Sequence, residues 1–451
     1  MSSRAADGDH DRPQGPAVGE VVTVEVGPVA HGGHCVARHE GDGIVLFVRH
    51  TLPGELVRAR VTEIGPGGRF VRADAVEVLR PAPGRVEPPC PFAGPGRCGG
   101  CDWQHVDLSA QRELKLAVVA EQLERLAGMR LDGLGVDGTE VVCEPVPGDR
   151  DGLRWRTRVE VSAGPEGPGL RAHRSHRVVR VDDCRIAHED VVGTGVFDAA
   201  PGDTVVALDA VAPSVGEPVV VPLVRPGGSE RPGRAGRSRR PGRRPGRGER
   251  HTPVPAGPVP EVTERVGEHE FTLSARGFWQ VHPGAATTFT GQVLEWLDPQ
   301  EGESALDLYA GVGLFAVPLA ERVGPGGRVL AVEADRQAGA AAARHLAPWP
   351  WAGARAEPTE RVLEELVAAG EHADVVVLDP PRSGAGRAVM ASVARLRPRA
   401  VVYVACDPAA LARDVATARE LGLELVRLRV LDAFPMTHHV ECLALLRPVV
   451  D

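Results

Sequence analysis

Lysine is almost missing from this 451-residue chain. Lys115 is its only one, so nearly all of the 52 basic side chains are arginine. Codon bias in a GC-rich genome accounts for such a skew, although arginine's planar fork also suits phosphates and base edges. Aromatic residues are scarce at 4%, which leaves few rings for stacking on bases. There is no excess of positive charge either. Acidic residues outnumber basic ones by 61 to 52, for a net charge of −9, which argues mildly against a protein that grips nucleic acid through bulk charge. No apolar run approaches the ~20 residues of a membrane span. Met1 to Glu20 lacks the apolar centre of a signal peptide. A cytoplasmic monomer without membrane contact is expected. Its eight cysteines would then meet reducing surroundings, where thiols more often bind metals or catalyse than form disulfides.

What the chain does have is glycine (54) and proline (40) in quantity, with 43% hydrophobic residues. That describes a turn-rich globular protein, long enough for two or three domains. Residues 1–18 read as a disordered tail. From Val21 onward, short alternating runs (VVTVEV, CVARHEGDGIVLFVRH, ELVRARVTEI, RFVRADAVEVL) predict a small β-barrel over 19–80. Small barrels of this kind often hold oligonucleotides. A central region, 81–260, opens with Cys, Gly and Pro. Its helix runs from about Leu108 to Gly128 with Ser109 as a possible N-cap, and WRTRVEVSA and LRAHRSHRVVRV are its best strands. Within it, 225–250 is an arginine-rich stretch almost without apolar side chains, expected to be disordered. Such an insert could hold RNA phosphates loosely or be no more than a tolerated surface insertion. Residues 261–451 alternate strands (ESALDLY, RVLAVEA, ADVVVLD, AVVYVAC) with helices, the pattern of a parallel sheet covered by helices.

The run LDLYAGVGL, from Leu306 to Leu314, is strand, glycine loop and helix start. Gly311 and Gly313 let the backbone turn sharply and approach a ligand. Glu333 ends the next strand, where a carboxylate can accept both ribose hydroxyls of an adenosine. The glycine loop alone also fits a dinucleotide site. Asp379-Pro380-Pro381 at the end of a later strand favours S-adenosyl-L-methionine (SAM) instead, because a strand-terminal D-P-P lines the methyl pocket of methyltransferases. Arg382 follows the prolines where amino-methylating enzymes carry an aromatic, which argues against nitrogen methylation.

Cys406 comes directly after an apolar strand, at the edge where such sheets bind ligands. A thiolate there suits pyrimidine chemistry. Addition to carbon 6 of uracil makes carbon 5 nucleophilic, carbon 5 takes the methyl, and a base removes its hydrogen before the cysteine leaves. Glu441, at the start of the final strand, is the candidate base. A lone cysteine is often just a small core residue, but its company here favours the nucleophile. Cys442 should point the other way, into the core. Elsewhere Cys90, Cys98, Cys101 and Cys184 make a four-thiolate set that fits an iron–sulfur cluster or zinc, with spacing unable to decide. Cys35 and Cys143 are read as ordinary thiols.

Taken together these residues resemble the RNA 5-methyluridine methyltransferases, over nearly the whole chain. The first barrel looks like a TRAM domain, an OB-like barrel, in GIVLFV (43–48) and LPGE (52–55). FWQVH (278–282) is similar to the family's F-x-Q-V-N motif, CDPAALARD (406–414) to its nucleophile motif and FPMTHHVE (434–441) to its base motif. The resemblance implies a C-terminal Rossmann-like SAM methyltransferase domain in an α/β fold. It gives Gln280, Tyr309, Gly311, Gly313, Glu333 and Asp379 as SAM-binding residues, and Cys406 and Glu441 as catalytic ones. It assigns the four cysteines to a 4Fe–4S cluster, with zinc the lesser candidate. It implies an RNA substrate, rRNA favoured and tRNA possible, and a helix after the third cysteine that packs on the catalytic domain. Four positions depart from the pattern: the seven-residue first cysteine gap, Leu314, His282 and Asp407, the last three standing where asparagine is usual. The competing expectations are cytosine-C5 methylation and a non-catalytic RNA-binding or assembly protein that keeps the fold.

Overall fold

The computed structural model describes residues 15–41, 43–200, 202–226 and 252–449. The expected tail, up to residue 14, and the arginine-rich insert, from residue 227, lie outside the described residues. At the N-terminus, β1 (Val21–Glu25), β2 (Val29–Ala30), β3 (His34–Arg38), β4 (Val45–Arg49), β5 (Leu56–Ile64) and β6 (Phe70–Arg80) form one curled sheet in the order β1-β5-β6-β4-β3-β2. Alternation puts Val22, Val24, Val57, Ala59, Val61, Val71 and Ala73 into a single core. Register shifts between β5 and β6 supply the curl. Glu55 closes the barrel's exit. Its buried carboxylate accepts from the backbone of Leu52 and Ala82 and from Arg85.

Helix α1 (Leu108–Gln122) is capped by Asp107, not by the expected Ser109. The aspartate accepts from the Ala110 amide at 3.0 Å, and the Ser109 hydroxyl donates to that same carboxylate. A π-helical turn carries the helix on to Gly128, whose left-handed φ of +62° ends it. β7 (Cys143–Pro145) follows. The central sheet contains β8 (Arg158–Gly164), β9 (Gly167–Arg171), β10 (Val178–Arg180), β11 (Val205–Val211), β12 (Val219–Val224) and β13 (Val254–Pro255), ordered β10-β9-β8-β11-β12-β13. The run LRAHRSHRVVRV is thus a hairpin arm rather than one strand: β9 and β10 pair antiparallel across its middle.

A hairpin of β14 (Glu261–Val266) and β15 (His269–Ser274) leads into the last region. There α2 (Ala285–Leu297), β16 (Ser304–Leu308), α3 (Ala316–Val323), β17 (Arg328–Val332), α4 (Arg336–Leu346), β18 (Ala352–Arg355), α5 (Thr359–Ala368), β19 (Val375–Leu378), α6 (Gly386–Arg395), β20 (Ala400–Ala405), α7 (Pro408–Glu420), β21 (Leu423–Asp432) and β22 (Glu441–Pro448) succeed one another. The sheet order is β18-β17-β16-β19-β20-β22-β21-β7, parallel through β20 and antiparallel at β22. Every residue of β19 and β20 is buried, as a strand covered on both faces must be. Phe289, Val293 and Trp296 of α2 cover one face, with α3 and α4. Val389, Leu411 and Val415 of α6 and α7 cover the other.

The segment from α1 to β7 joins this second layer. Val119, Leu123 and Cys143 share its core, and β7 extends the sheet beside β21. Lys115 is wholly buried on α1. It donates to the equally buried Asp432 at the end of β21 and, at 3.0 Å, to the Phe434 carbonyl. Removing one partner strands a charge in low dielectric. Lys115→Met should therefore destabilise the protein by about 3 kcal/mol in urea unfolding, and adding Asp432→Leu should recover most of the loss. An unchanged unfolding midpoint for the single variant would contradict this.

Candidate active site

Parallel register assembles the site. Leu308 pairs with Val332 on one side and Leu378 on the other, and Leu378 pairs with Tyr403. The residues just past these strand ends, Tyr309, Glu333 and Asp379, therefore line one edge. The order β17-β16-β19 makes this the switch point where open α/β sheets hold ligands. Tyr309 and Gly311 both have left-handed φ, +61° and +55°, so the loop leaves the strand in a sharp turn. Open space surrounds the Gly311 Cα. Glu333 is half-buried and accepts from the amides of Gly311 (2.9 Å) and Asp335 (2.7 Å). Gln280 is buried in the loop before α2 beside the 73%-exposed Phe278. Arg158 and Thr157 of the central region hold that loop through the carbonyls of Ala275, Gly277 and Val281.

Antiparallel register sets the second pair. Ala405 of β20 faces Cys442 of β22, so Cys406 and Glu441 stand at neighbouring strand ends. Cys442 is core, as is Cys143. Cys406 is partly buried and lines a cavity of about 130 Å³ with Arg382, Asp407 and His439. Burial pushes its thiol up to about 12, with the negative charge of Glu441 and Asp379 adding to the rise and Arg382 opposing it. Burial, with Asp379, also raises the Glu441 carboxyl well above the carboxylate range. Asp379 is raised to about 7 by burial. Asp307 is raised as well, by burial and by Asp379 and Glu333.

Asp307 was not singled out by its position in the strand, yet it ties the strand to the helix that follows the glycine loop. One oxygen accepts from the Ala316 amide at 2.8 Å and starts α3, while the other is buried without a partner. Asp414 is a second addition. It takes hydrogen bonds from the Tyr403 hydroxyl and the amides of Ala385 and Gly386, tying the segment after D-P-P to α7. Three of the departures acquire reasons. Leu314 packs in the core with Trp279 and Val312. His282 is buried on Trp155, with Nδ1 accepting from the Gly284 amide. Asp407 caps α7 through the Ala410 amide at 2.8 Å.

The four cysteines also converge. Cys90, Cys98, Cys101 and Cys184 line one cavity of about 230 Å³. Burial raises the thiols of Cys98, Cys101 and Cys184; the neighbouring cysteines add to the rise, and Arg156 opposes it at Cys98 and Cys184. Among the described residues, no three His, Cys, Asp or Glu side chains form a group that could hold one metal ion.

A TRAM domain model matches residues 17–76, and a tRNA (Uracil-5-)-methyltransferase model matches 359–449. The 23S rRNA (uracil(1939)-C(5))-methyltransferase RlmD of Pseudomonas putida is 33% identical, over 97% of this chain and 96% of that protein. The chain belongs to the RNA uracil-C5 methyltransferase family. An uncharacterised RNA methyltransferase of Streptomyces coelicolor is 46% identical, over 96% of this chain and 93% of that one. The crystal structure of Pyrococcus abyssi tRNA (uracil-54, C5)-methyltransferase in complex with S-adenosyl-L-homocysteine shares the fold: TM-score 0.64, 20% identity, 94% of this chain and 100% of that one. No helix among the described residues is long and apolar enough to cross a membrane.

The methyltransferase's sheet edge thus gathers Asp307, Asp379 and Glu441, all raised by burial, with Arg382 opposing the rise at Glu441. SAM brings a sulfonium, whereas S-adenosyl-L-homocysteine does not. A raised Asp379 carboxyl is ionised above about 7 and neutral below it. Calorimetry should accordingly show SAM affinity, relative to the homocysteine form, falling as pH drops through that value. Asp379→Asn should flatten the difference and weaken SAM by roughly tenfold. Equal SAM affinity for Asp379→Asn and wild type at pH about 8 would contradict this electrostatic account.

Proposed function

We propose that this protein methylates carbon 5 of a uridine in structured RNA, 23S rRNA ahead of tRNA, with Cys406 as nucleophile and Glu441 as base. The observation that carries the reading is the register Ala405–Cys442, which brings a thiol and a buried carboxyl to adjacent strand ends. Those ends lie beside the Tyr309, Glu333 and Asp379 edge, where the Gly311 and Gly313 loop and Gln280 suit SAM. The TRAM domain, the four-cysteine set and the full-length likeness to an rRNA enzyme favour rRNA.

SAM supplies an electrophilic methyl group. Cys406 gives its proton to solvent and its sulfur bonds to carbon 6 of the flipped-out uracil, leaving an enolate whose carbon 5 takes the methyl group as S-adenosyl-L-homocysteine leaves. Arg382 is the cation that offsets the negative charge around the thiol. Once carbon 5 is methylated, Glu441 takes its hydrogen as a proton. The carbon–sulfur bond then breaks with its electron pair returning to Cys406. Burial makes ionised Glu441 a stronger base than a solvated carboxylate. Cys406→Ala should lower methylation by roughly three orders of magnitude or more while SAM still binds. Glu441→Gln should accumulate a protein–RNA adduct that survives a denaturing gel. Methylation by Cys406→Ala, or an inactive Glu441→Gln that forms no adduct, would overturn the assignment.

The cysteine cavity fits a 4Fe–4S cluster held by Cys90, Cys98, Cys101 and Cys184. Four thiols around one space, that of Cys184 buried and those of Cys90, Cys98 and Cys101 partly buried, support this reading. Such a cluster would cross-link the 90–101 loop to the loop bearing Cys184. Anaerobically purified protein should hold about four iron and four sulfide per chain, retained in Cys35→Ala and lost in Cys101→Ala. Zinc without sulfide would refute the cluster.

A further inference from the structure

The turn between β2 and β3 of the TRAM domain reaches the active site. His31 Nε2 lies 2.9 Å from Asp407 Oδ2, across 376 residues of sequence. The other Asp407 oxygen caps α7 through the Ala410 amide. One carboxylate is thereby shared between the nucleophile's helix and the TRAM domain, one peptide bond after Cys406. Two more contacts seat the turn. Gly33, at φ +78°, fits so tightly that a Cβ there would lie 2.6 Å from that of His438, and its carbonyl accepts from Trp103 Nε1 at 3.2 Å. His31, Gly32 and Gly33 line the same cavity as Cys406. Asparagine would cap α7 as well as aspartate does, so capping alone does not require a carboxylate at 407.

We infer that His31 is a positioning residue for the nucleophile: by holding Asp407 it fixes the turn that aims the Cys406 thiol, and so makes catalysis depend on a seated TRAM domain. The inference rests on Cys406 being the nucleophile. The groups acting on His31 are Asp407, Arg413 of α7 and Glu121 of α1. The Asp407 hydrogen bond outweighs burial and Arg413 and raises the imidazole above its ordinary value. The charged pair is therefore complete below the ordinary histidine range and is lost as pH rises through the raised value.

The test uses full-length protein, with rRNA from a strain lacking the enzyme as methyl acceptor. kcat, the KM for RNA and SAM affinity are measured at pH about 6 and about 8.5. His31→Ala should lower kcat roughly tenfold and leave SAM affinity unchanged. His31→Gln should recover part of that, with a larger deficit at the lower pH. Asp407→Asn keeps the cap, so it reports even if His31→Ala folds poorly. It should show the same kcat loss, and His31→Gln added to it should cost little more. Wild-type kcat in Asp407→Asn, additive losses in the pair, or a defect confined to the KM for RNA would overturn the inference. An active Cys406→Ala would instead sink the reading beneath it.

Discussion

Between Asp432 and Glu441 the chain crosses the sheet edge without a strand partner, and side chains from 102–115 hold it there. Gln111 accepts from the Met436 amide, Lys115 donates to Asp432 and to the Phe434 carbonyl, and Asp102 accepts from His438 Nδ1 at 2.6 Å. In return the Met436 carbonyl receives the amides of Asp102 and Trp103. Met436 itself is held at φ +66°, a conformation that persists only when its surroundings over-determine it. The position of Glu441 therefore depends on a helix more than 300 residues earlier in the chain. Because Cys101 adjoins Asp102, the cysteine loop belongs to the same support.

Charge explains why the site is built from so many elements. Buried carboxyls repel one another, and strand ends are where a sheet can bring them close while loops stay free to cover them. Arg382 is placed to act on both Cys406 and Glu441, and it also approaches His439 at 3.5 Å. Burial, aided by the charge of His438 and Arg382, holds His439 down to about 3, so its ring is neutral. The reactive pair thus stands among groups whose protonation is set by burial first and by neighbours second.

Much of this was legible in the sequence because it is local. The β16 glycine loop, the D-P-P at the end of β19 and the strand before Cys406 are contiguous, and apolar runs flank each of them. The TRAM strands announce themselves by alternation. What sequence reading missed is long-range or hidden inside a regular pattern. Asp307 sits in an apolar strand with no outward signal, and its orphaned oxygen is visible only in three dimensions. The pairs His31–Asp407, Asp102–His438 and Lys115–Asp432 each span more than 300 residues, and no periodicity records them. The N-cap shifted by two residues because two capping side chains adjoin the helix start. LRAHRSHRVVRV read as one strand because its turn carries no glycine or proline.

Nucleoside mass spectrometry of rRNA and tRNA from a deletion strain, beside its parent, tests the central claim most directly. The account predicts loss of 5-methyluridine from the 23S rRNA fraction with the tRNA unchanged, restored by the wild-type gene and not by Cys406→Ala. Undiminished 5-methyluridine in every fraction, with redundant enzymes removed, would contradict it, and a lost 5-methylcytidine would move the reaction to cytosine.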